Sequence, residues 1–340
     1  MGRKTQQNKI NSPELWSQVN PDNKQLLEDF LSYLRSIQRS ETTIAGYRND
    51  AEIAFVWCLQ FNKNKFFVDW SKRDIVSLQN WLLNTNKNSP ARVRRIKSVL
   101  SSMSNYIEAV LDDEYEDFRP IIRKIENPVN QPVREKTVLS DEQCDYLLEQ
   151  LVAKKQYEKA CLAALAFYSG RRRSELVRFK VSYFDDENIM FGSLYKTPEK
   201  VKTKGRGNGK MLYCYTLAKP FKPYFDLWMQ DRAEKGIKSE WLFPDHDDPT
   251  KHLSPSTLNS WANTFSRILG VPYYPHCARH RFTTALAKSN IPDSVIKDIL
   301  GWESLEMVSV YKDLDSDEEI GKYFDKNGVK NVETGSLDQL

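Results

Sequence analysis

The chain has 340 residues, 40% of them apolar and 12% aromatic, which is enough for packed cores and too much for a disordered polyelectrolyte. No apolar run approaches the roughly 20 residues of a membrane-spanning helix, and the start MGRKTQQNKI lacks the hydrophobic region of a secretory signal. The net charge of +4 is unevenly spread: from Lys312 onward eight acidic residues face four basic ones, so residues 1–311 carry +8, a balance that suits a polyanion-binding protein without excluding an ordinary enzyme.

In chain order, residues 1–22 read as a polar tail, loosely ordered. A helix is expected over 23–38 from Leu26, Leu27, Phe30, Leu31 and Leu34, and a second over 41–61 from Ile44, Tyr47, Ala51, Ala54, Phe55 and Leu59. Ser71 is a plausible N-cap for a helix over 71–83. Ser89 with Pro90 opens another over 89–111. These helices make an all-α domain over 23–126. The stretch 127–137, NPVNQPVREKT, breaks the periodicity with two prolines and reads as an extended linker.

A larger domain over 138–312 begins at a capping box, Ser140 to Gln143. YEKACLAALAFYSG (157–170) is apolar nearly all round, a buried helix stopped by Gly170. Two strand-like runs, 188–195 and 210–217, flank a basic segment, and helical patterns return over 222–235, 255–269, 276–289, 293–300 and 305–312. The expected fold is mainly α, with one small antiparallel sheet. Residues 313–340 form an acidic tail, in which Ile320, Tyr323 and Phe324 give DSDEEIGKYFDKNG (315–328) an amphipathic helical pattern. Cys58, Cys144, Cys161, Cys214 and Cys277 are odd in number and lack paired spacing, so they read as reduced, buried thiols of a cytosolic protein with no zinc site.

Four stretches can carry chemistry. HCARHRF (276–282) gathers two of the chain's four histidines beside arginines. SGRRRSELVRF (169–179) sets three arginines at a helix start, where they oppose the dipole and a bound anion would offset the cost. The segment between the strands holds Lys196, Lys200, Lys202, Lys204, Arg206 and Lys210 against one acid, Glu199. DILGWESLEMVSVYKD (298–313) offers Trp302 and Tyr311. Taken singly, each reads better as a solvated basic face, a mobile loop or core aromatics. Together they suit phosphoryl transfer, which needs positive donors around the non-bridging oxygens, an activated nucleophile and a proton for the leaving oxygen. No metal or other cofactor is needed where arginines supply that charge.

In their order these stretches resemble the tyrosine recombinase (phage-type integrase) family. SGRRRSEL is similar to the family's G-x-R-x-S-E, TKGRG (203–207) to its hairpin lysine segment, HCARHRF to H-x-x-R-H-x-F, and LGW (300–302) with Tyr311 nine residues on to its carboxy-terminal motif. The resemblance covers roughly 24 to 312. It implies that Arg172, His276, Arg279 and Trp302 hold a DNA phosphate while Tyr311 attacks it to form a 3′-phosphotyrosyl link. His276 would assist proton removal, and Lys204, with Lys202 as the rival, would protonate the departing 5′ oxygen. His280 is expected to be buried and structural.

The amino-terminal helices match the family's core-binding domain, with Thr42, Thr43, Tyr47 and Arg48 and the basic ARVRRIK (Arg92, Arg94, Arg95, Lys97) as DNA-contacting residues. The resemblance further implies double-stranded DNA with paired sites as partner, a homotetramer on DNA coupled through the acidic tail, neither membrane nor small-molecule substrate, and a cytoplasmic, nucleoid-associated location. A type IB topoisomerase and a non-catalytic DNA-binding protein remain the alternatives.

Overall fold

A computed structural model of the chain describes residues 10–129, 137–203, 209–289 and 291–311, together with the backbone of 324–325 and 328–329. Val310 and Tyr311 are described through their backbone alone, while Lys204 and most of the linker and acidic tail lie outside the described residues. The described residues form two compact units, one up to residue 129 and one from 137 onward. Both are helical, and the small antiparallel sheets belong to the second.

In the first unit, polar side chains set the helix starts. Ser12, Asn20, Ser40, Ser71 and Ser89 each accept a hydrogen bond from the first turn of α1 (Pro13–Gln18), α2 (Pro21–Ser36), α3 (Glu41–Phe61), α4 (Lys72–Asn80) and α5 (Pro90–Val110), respectively. Helix α1 corrects the expectation of a loose tail to residue 22. Six residues are too few to show a 3.6-residue period, yet Leu15 and Trp16 pack on the core and Val19 is buried. The apolar faces of α2, α3 and α5 enclose Phe30, Phe55, Trp57, Leu100 and Met103.

Two polar devices tie this unit together. The carboxylate of Asp50 is fully buried in α3 and receives Arg92 at 2.5 Å and Arg95 at 2.8 Å from α5. Lys97 is 3% exposed; its ammonium donates to Gln79 Oε1 at 2.7 Å and to the carbonyls of Ile125 and Glu126, both at 3.0 Å.

In the second unit, α6 (Asp141–Ala153) begins with the Ser140–Gln143 capping box. It packs on α7 (Tyr157–Ser169), whose residues from Ala160 to Ser169 are all buried. Helices α9 (Ala218–Glu234), α10 (Thr257–Leu269) and α11 (Pro275–Lys288) complete the core around it. Arg281 joins α11 to both of the first two, reaching Asp141 at 2.8 Å and the Phe167 carbonyl at 3.2 Å.

The strand runs are more broken than expected. Phe191 (φ 53) and Gly192 (φ 69) turn the chain inside the first run. β1 (Ile189–Met190) therefore pairs with β2 (Leu194–Lys196), which pairs with β5 (Tyr215–Leu217). β3 (Val201–Lys202) and β4 (Met211–Leu212) form a separate ribbon, so one sheet becomes two. The helix expected over 315–328 does not reach its end: Phe324–Asp325 pairs antiparallel with Gly328–Val329.

Helix α7 ends where Gly170 turns left-handed (φ +60). A Cβ there would lie 2.6 Å from Phe282 Cδ1 and 2.9 Å from Leu300 Cδ2. Gly170→Ala should therefore lose at least about 2 kcal/mol in urea unfolding, from backbone strain plus overpacking; a loss within error would contradict the close approach. Lys97→Met keeps the stem but takes the buried donor away from Gln79 Oε1 and from the Ile125 and Glu126 carbonyls, so the first unit should lose about 1 kcal/mol or more, and an unchanged unfolding midpoint would contradict that tie.

Candidate active site

Three helix ends build the site in the second unit. After Gly170 the chain crosses Arg171 and enters the short helix α8 (Arg173–Leu176) with Arg172 as its cap residue. Glu175, fully buried, receives the Arg172 backbone N–H at 3.1 Å and its Nη1 at 2.9 Å. This carboxylate aims the guanidinium, whose side chain is 26% exposed. Arg173 leaves the site and donates to Asn259 Oδ1 at 2.7 Å. The resemblance singled out Arg172 among three arginines, and of the three it is the one that Glu175 holds.

Pro275 starts α11, so His276 and Arg279 fall one turn apart on one face. Arg279 is fully buried. Its Nη1 donates to the Gly170 carbonyl at 2.9 Å and its Nη2 to the Leu300 carbonyl at 3.0 Å. Its guanidinium lies 4.8 Å from the centre of the Trp302 ring. His276 keeps an exposed edge. Partial burial, then the positive charges of Arg279, Arg172, His280 and Arg173, draw its pKa below the ordinary 6.5. His280 is 7% exposed.

Helix α12 (Asp293–Leu300) ends at Gly301, left-handed at φ 66. Trp302 follows, 5% exposed, in a small cluster with Phe282, Leu286, Ile296, Leu300 and Val308. That cluster seats α13 (Glu306–Tyr311) against α11 and α12. Tyr311 is the last residue of this helix; its side chain lies outside the described residues. Lys204 also lies outside them, although the ribbon that leads to it is tied down: Thr203 N–H donates to the Lys210 carbonyl at 2.8 Å, and Arg178 to the Lys202 carbonyl at 2.8 Å.

Arg172, His276, Arg279 and Trp302 thus meet within one region, although 130 residues separate the first from the last. Two further residues there, Glu175 and Arg171, have no role implied by the resemblance. Glu175 stood inside the quoted motif. Arg171 is fully buried, and no periodicity signals a buried arginine.

The basic residues of the first unit divide differently. Thr42 is exposed, and Thr43 hydroxyl meets the Ser40 hydroxyl at 2.8 Å. Tyr47 stacks on Phe30 with ring centres 6.1 Å apart, and Arg48 is held by Glu28, Nη2 to Oε2 at 2.7 Å. Arg94 and Arg95 are exposed, Arg92 is partly covered, and Lys97 is turned inward, away from the solvated face it was expected to share. The reason is spacing: on α5 Lys97 falls next to Val93 and Ile96, on the buried stripe.

The depressed pKa gives a direct check. In the free protein, an NMR titration of the His276 ring should have its midpoint below 6.5; a midpoint at or above that value would contradict the crowding by cations.

The family model described as the phage integrase family matches residues 137–318. The SPbeta prophage-derived recombinase-like protein YomM of Bacillus subtilis is 29% identical over 271 residues, which span 77% of this chain and 78% of that protein. A tyrosine recombinase of Agathobacter rectalis is 24% identical over 309 residues, 84% of this chain and 90% of the other. The fold resembles that of XerH site-specific recombinase bound to palindromic difH substrate, with a TM-score of 0.62 at 16% identity, covering 91% of this chain and 94% of that one. With more than half of its length matched by the family model, and its four candidate phosphate-holding side chains gathered at one place, the chain belongs to the phage integrase family.

Proposed function

We propose that the chain is a site-specific DNA recombinase that breaks and rejoins strands through Tyr311. The observation that carries this reading is the gathering of Arg172, His276, Arg279 and Trp302 beside the helix that ends in Tyr311. Three guanidiniums, Arg171, Arg172 and Arg279, share that region with one buried carboxylate, Glu175. Such an excess of positive charge is costly without an anion and suits a phosphodiester that gains charge in the transition state.

In this reading Arg172 donates to a non-bridging oxygen from its exposed edge. Arg279, enclosed in the DNA-free chain, supplies charge from behind, and a hydrogen bond where DNA binding opens its edge. His276, neutral at pH 7 because its pKa is depressed, takes the phenolic proton as the Tyr311 oxygen bonds to phosphorus. The 5′ oxygen leaves and is protonated by Lys204 or Lys202. The tyrosyl phosphodiester conserves the energy of the broken bond, so a 5′ hydroxyl from a partner strand reverses the step without ATP. Double-stranded DNA is the partner, approached in the first unit by Thr42 and Thr43 at the start of α3 and by Arg94 on α5. Arg48, Arg92 and Arg95 answer to acids of their own unit, and Lys97 supports the unit from inside. Two recognition sites and four copies of the chain, joined through the acidic tail, complete the proposed assembly.

The reading is tested on nicked duplexes tiled across the DNA that flanks the gene. A protease-sensitive protein–DNA adduct is expected from the wild type and none from Tyr311→Phe, with Arg172→Ala at least about 100-fold slower. No wild-type adduct, or one that survives Tyr311→Phe, overturns it. Deleting residues 313–340 should leave cleavage of single sites and abolish pairing of two sites; pairing that persists would refute the role of the tail. Replacing Arg94 with Ala should flatten the salt dependence of duplex binding by about one unit of log–log slope, and an unchanged slope would remove Arg94 from the DNA-facing set.

A further inference from the structure

The two carbonyls at the very end of α12 are held by two different arginines. A helix leaves its last four carbonyls without intrahelical partners. Here Trp302 N–H donates to the Lys297 carbonyl at 2.9 Å and Gly301 N–H to that of Asp298 at 3.2 Å, the paired closure that a left-handed glycine allows. The next two carbonyls take side chains. Arg279 Nη2 reaches Leu300 at 3.0 Å, and Arg171 Nη2 reaches the carbonyl of Ile299. Two cations therefore sit at the negative end of one helix dipole.

Arg171 is the less expected of the pair. The motif G-x-R-x-S-E leaves its position open, and the proposed chemistry gives it no bond to make, only a share of the region's positive charge. It is nonetheless fully buried beside the Cys214 thiol, a weak acceptor, and its Nε and Nη1 make no geometrically sound hydrogen bond among the described residues. Enclosing a guanidinium with one carbonyl bond costs more than a leucine or methionine of similar bulk would at that point. A buried polar group left so incompletely satisfied calls for a reason.

Its neighbours in the chain supply one. Arg171 directly precedes Arg172, and Gly170 on its other side lends its carbonyl to Arg279 Nη1 at 2.9 Å. The turn that presents Arg172 is thus bonded twice to the segment that carries Trp302 and leads into α13. One bond runs outward from Arg171, and the other passes through Arg279. A single bond would permit rotation about it; two on adjacent carbonyls fix both distance and angle.

We propose that Arg171 is a positioning residue for strand cleavage, which by capping the Ile299 carbonyl fixes the Trp302–Tyr311 segment relative to Arg172. This rests on the recombinase reading of the site. Arg171 touches neither phosphate nor nucleophile. It sets the register between the groups that do, and small errors in that register are costly in a displacement that needs attacking and leaving oxygens in line.

The test uses the full chain and the nicked duplex that the wild type cleaves. Arg171→Met keeps the bulk and removes the charge and donors, while Arg171→Lys keeps a charge and one reaching donor. In Arg171→Met, hydrogen exchange at the Gly301 and Trp302 amides should quicken at least about tenfold while α7 amides keep their protection. Adduct formation should slow at least about tenfold with duplex affinity unchanged, and Arg171→Lys should recover part of both. Unchanged exchange at 301 and 302, cleavage and binding that fall in equal proportion, or a lysine variant no better than methionine would each overturn the proposal. Should the methionine variant not fold, the lysine variant decides: faster exchange with slower cleavage supports the role, and wild-type values in both overturn it. The exchange measurement needs no DNA, so it still decides if the wild type forms no adduct, an outcome that removes the recombinase reading itself.

Discussion

The site depends on one guanidinium that bridges two helix ends. Arg279 donates to the carbonyl of Gly170, where α7 stops, and to that of Leu300, where α12 stops. Both helices end in a left-handed glycine whose added Cβ would meet a packed side chain, Phe282 at Gly170 and Leu212 at Gly301. Glycine thus allows the turns, the turns expose the carbonyls, and the carbonyls fix the arginine. The same turns launch Arg172 and Trp302. Positive charge accumulates around this bridge faster than Glu175 can neutralise it. The fold tolerates that imbalance because much of its stability comes from elsewhere, in the apolar packing of α7 against α9 and α11. A site that is electrostatically incomplete without an anion is what a phosphate-processing enzyme requires.

Most of the helices were readable from periodicity and capping residues, since Ser and Pro starts act locally. α3 and α12 occupy the spans read from the sequence, Glu41–Phe61 and Asp293–Leu300. What escaped was set by few residues or by distant ones. α1 is six residues long. The division of the strands turned on Phe191 adopting a positive φ, which its residue type disfavours. The short α8 exists because Glu175 caps Arg172, a bond between side chain and backbone with no periodic signature.

The site itself was legible only as an ordered set of motifs. Each stretch was ambiguous alone, and the order along the chain carried the resemblance. Which of the arginines are enclosed was the part that sequence could not supply. Arginines count as surface residues by default, yet Arg171 and Arg279 are fully enclosed while Arg173, in the same run as Arg171, is exposed. The first unit shows the same limit. Its basic helix α5 looks uniform in sequence, but its four cations do three different things: Arg92 and Arg95 bind a buried carboxylate, Lys97 ties down the chain at 125–126, and Arg94 stays exposed. A count of charges along a helix therefore overstates what remains for a nucleic acid.

The central claim is that donors distant in sequence converge on one backbone phosphorus in line with a phenolic oxygen. A crystal structure of the chain with cleaved duplex and vanadate measures that most directly. The account predicts a trigonal bipyramidal vanadate whose equatorial oxygens accept from Arg172, His276 and Trp302, with Arg279 behind them and Tyr311 Oη at one apex. A vanadate bound elsewhere, or an apex occupied by any group other than Tyr311, would contradict it.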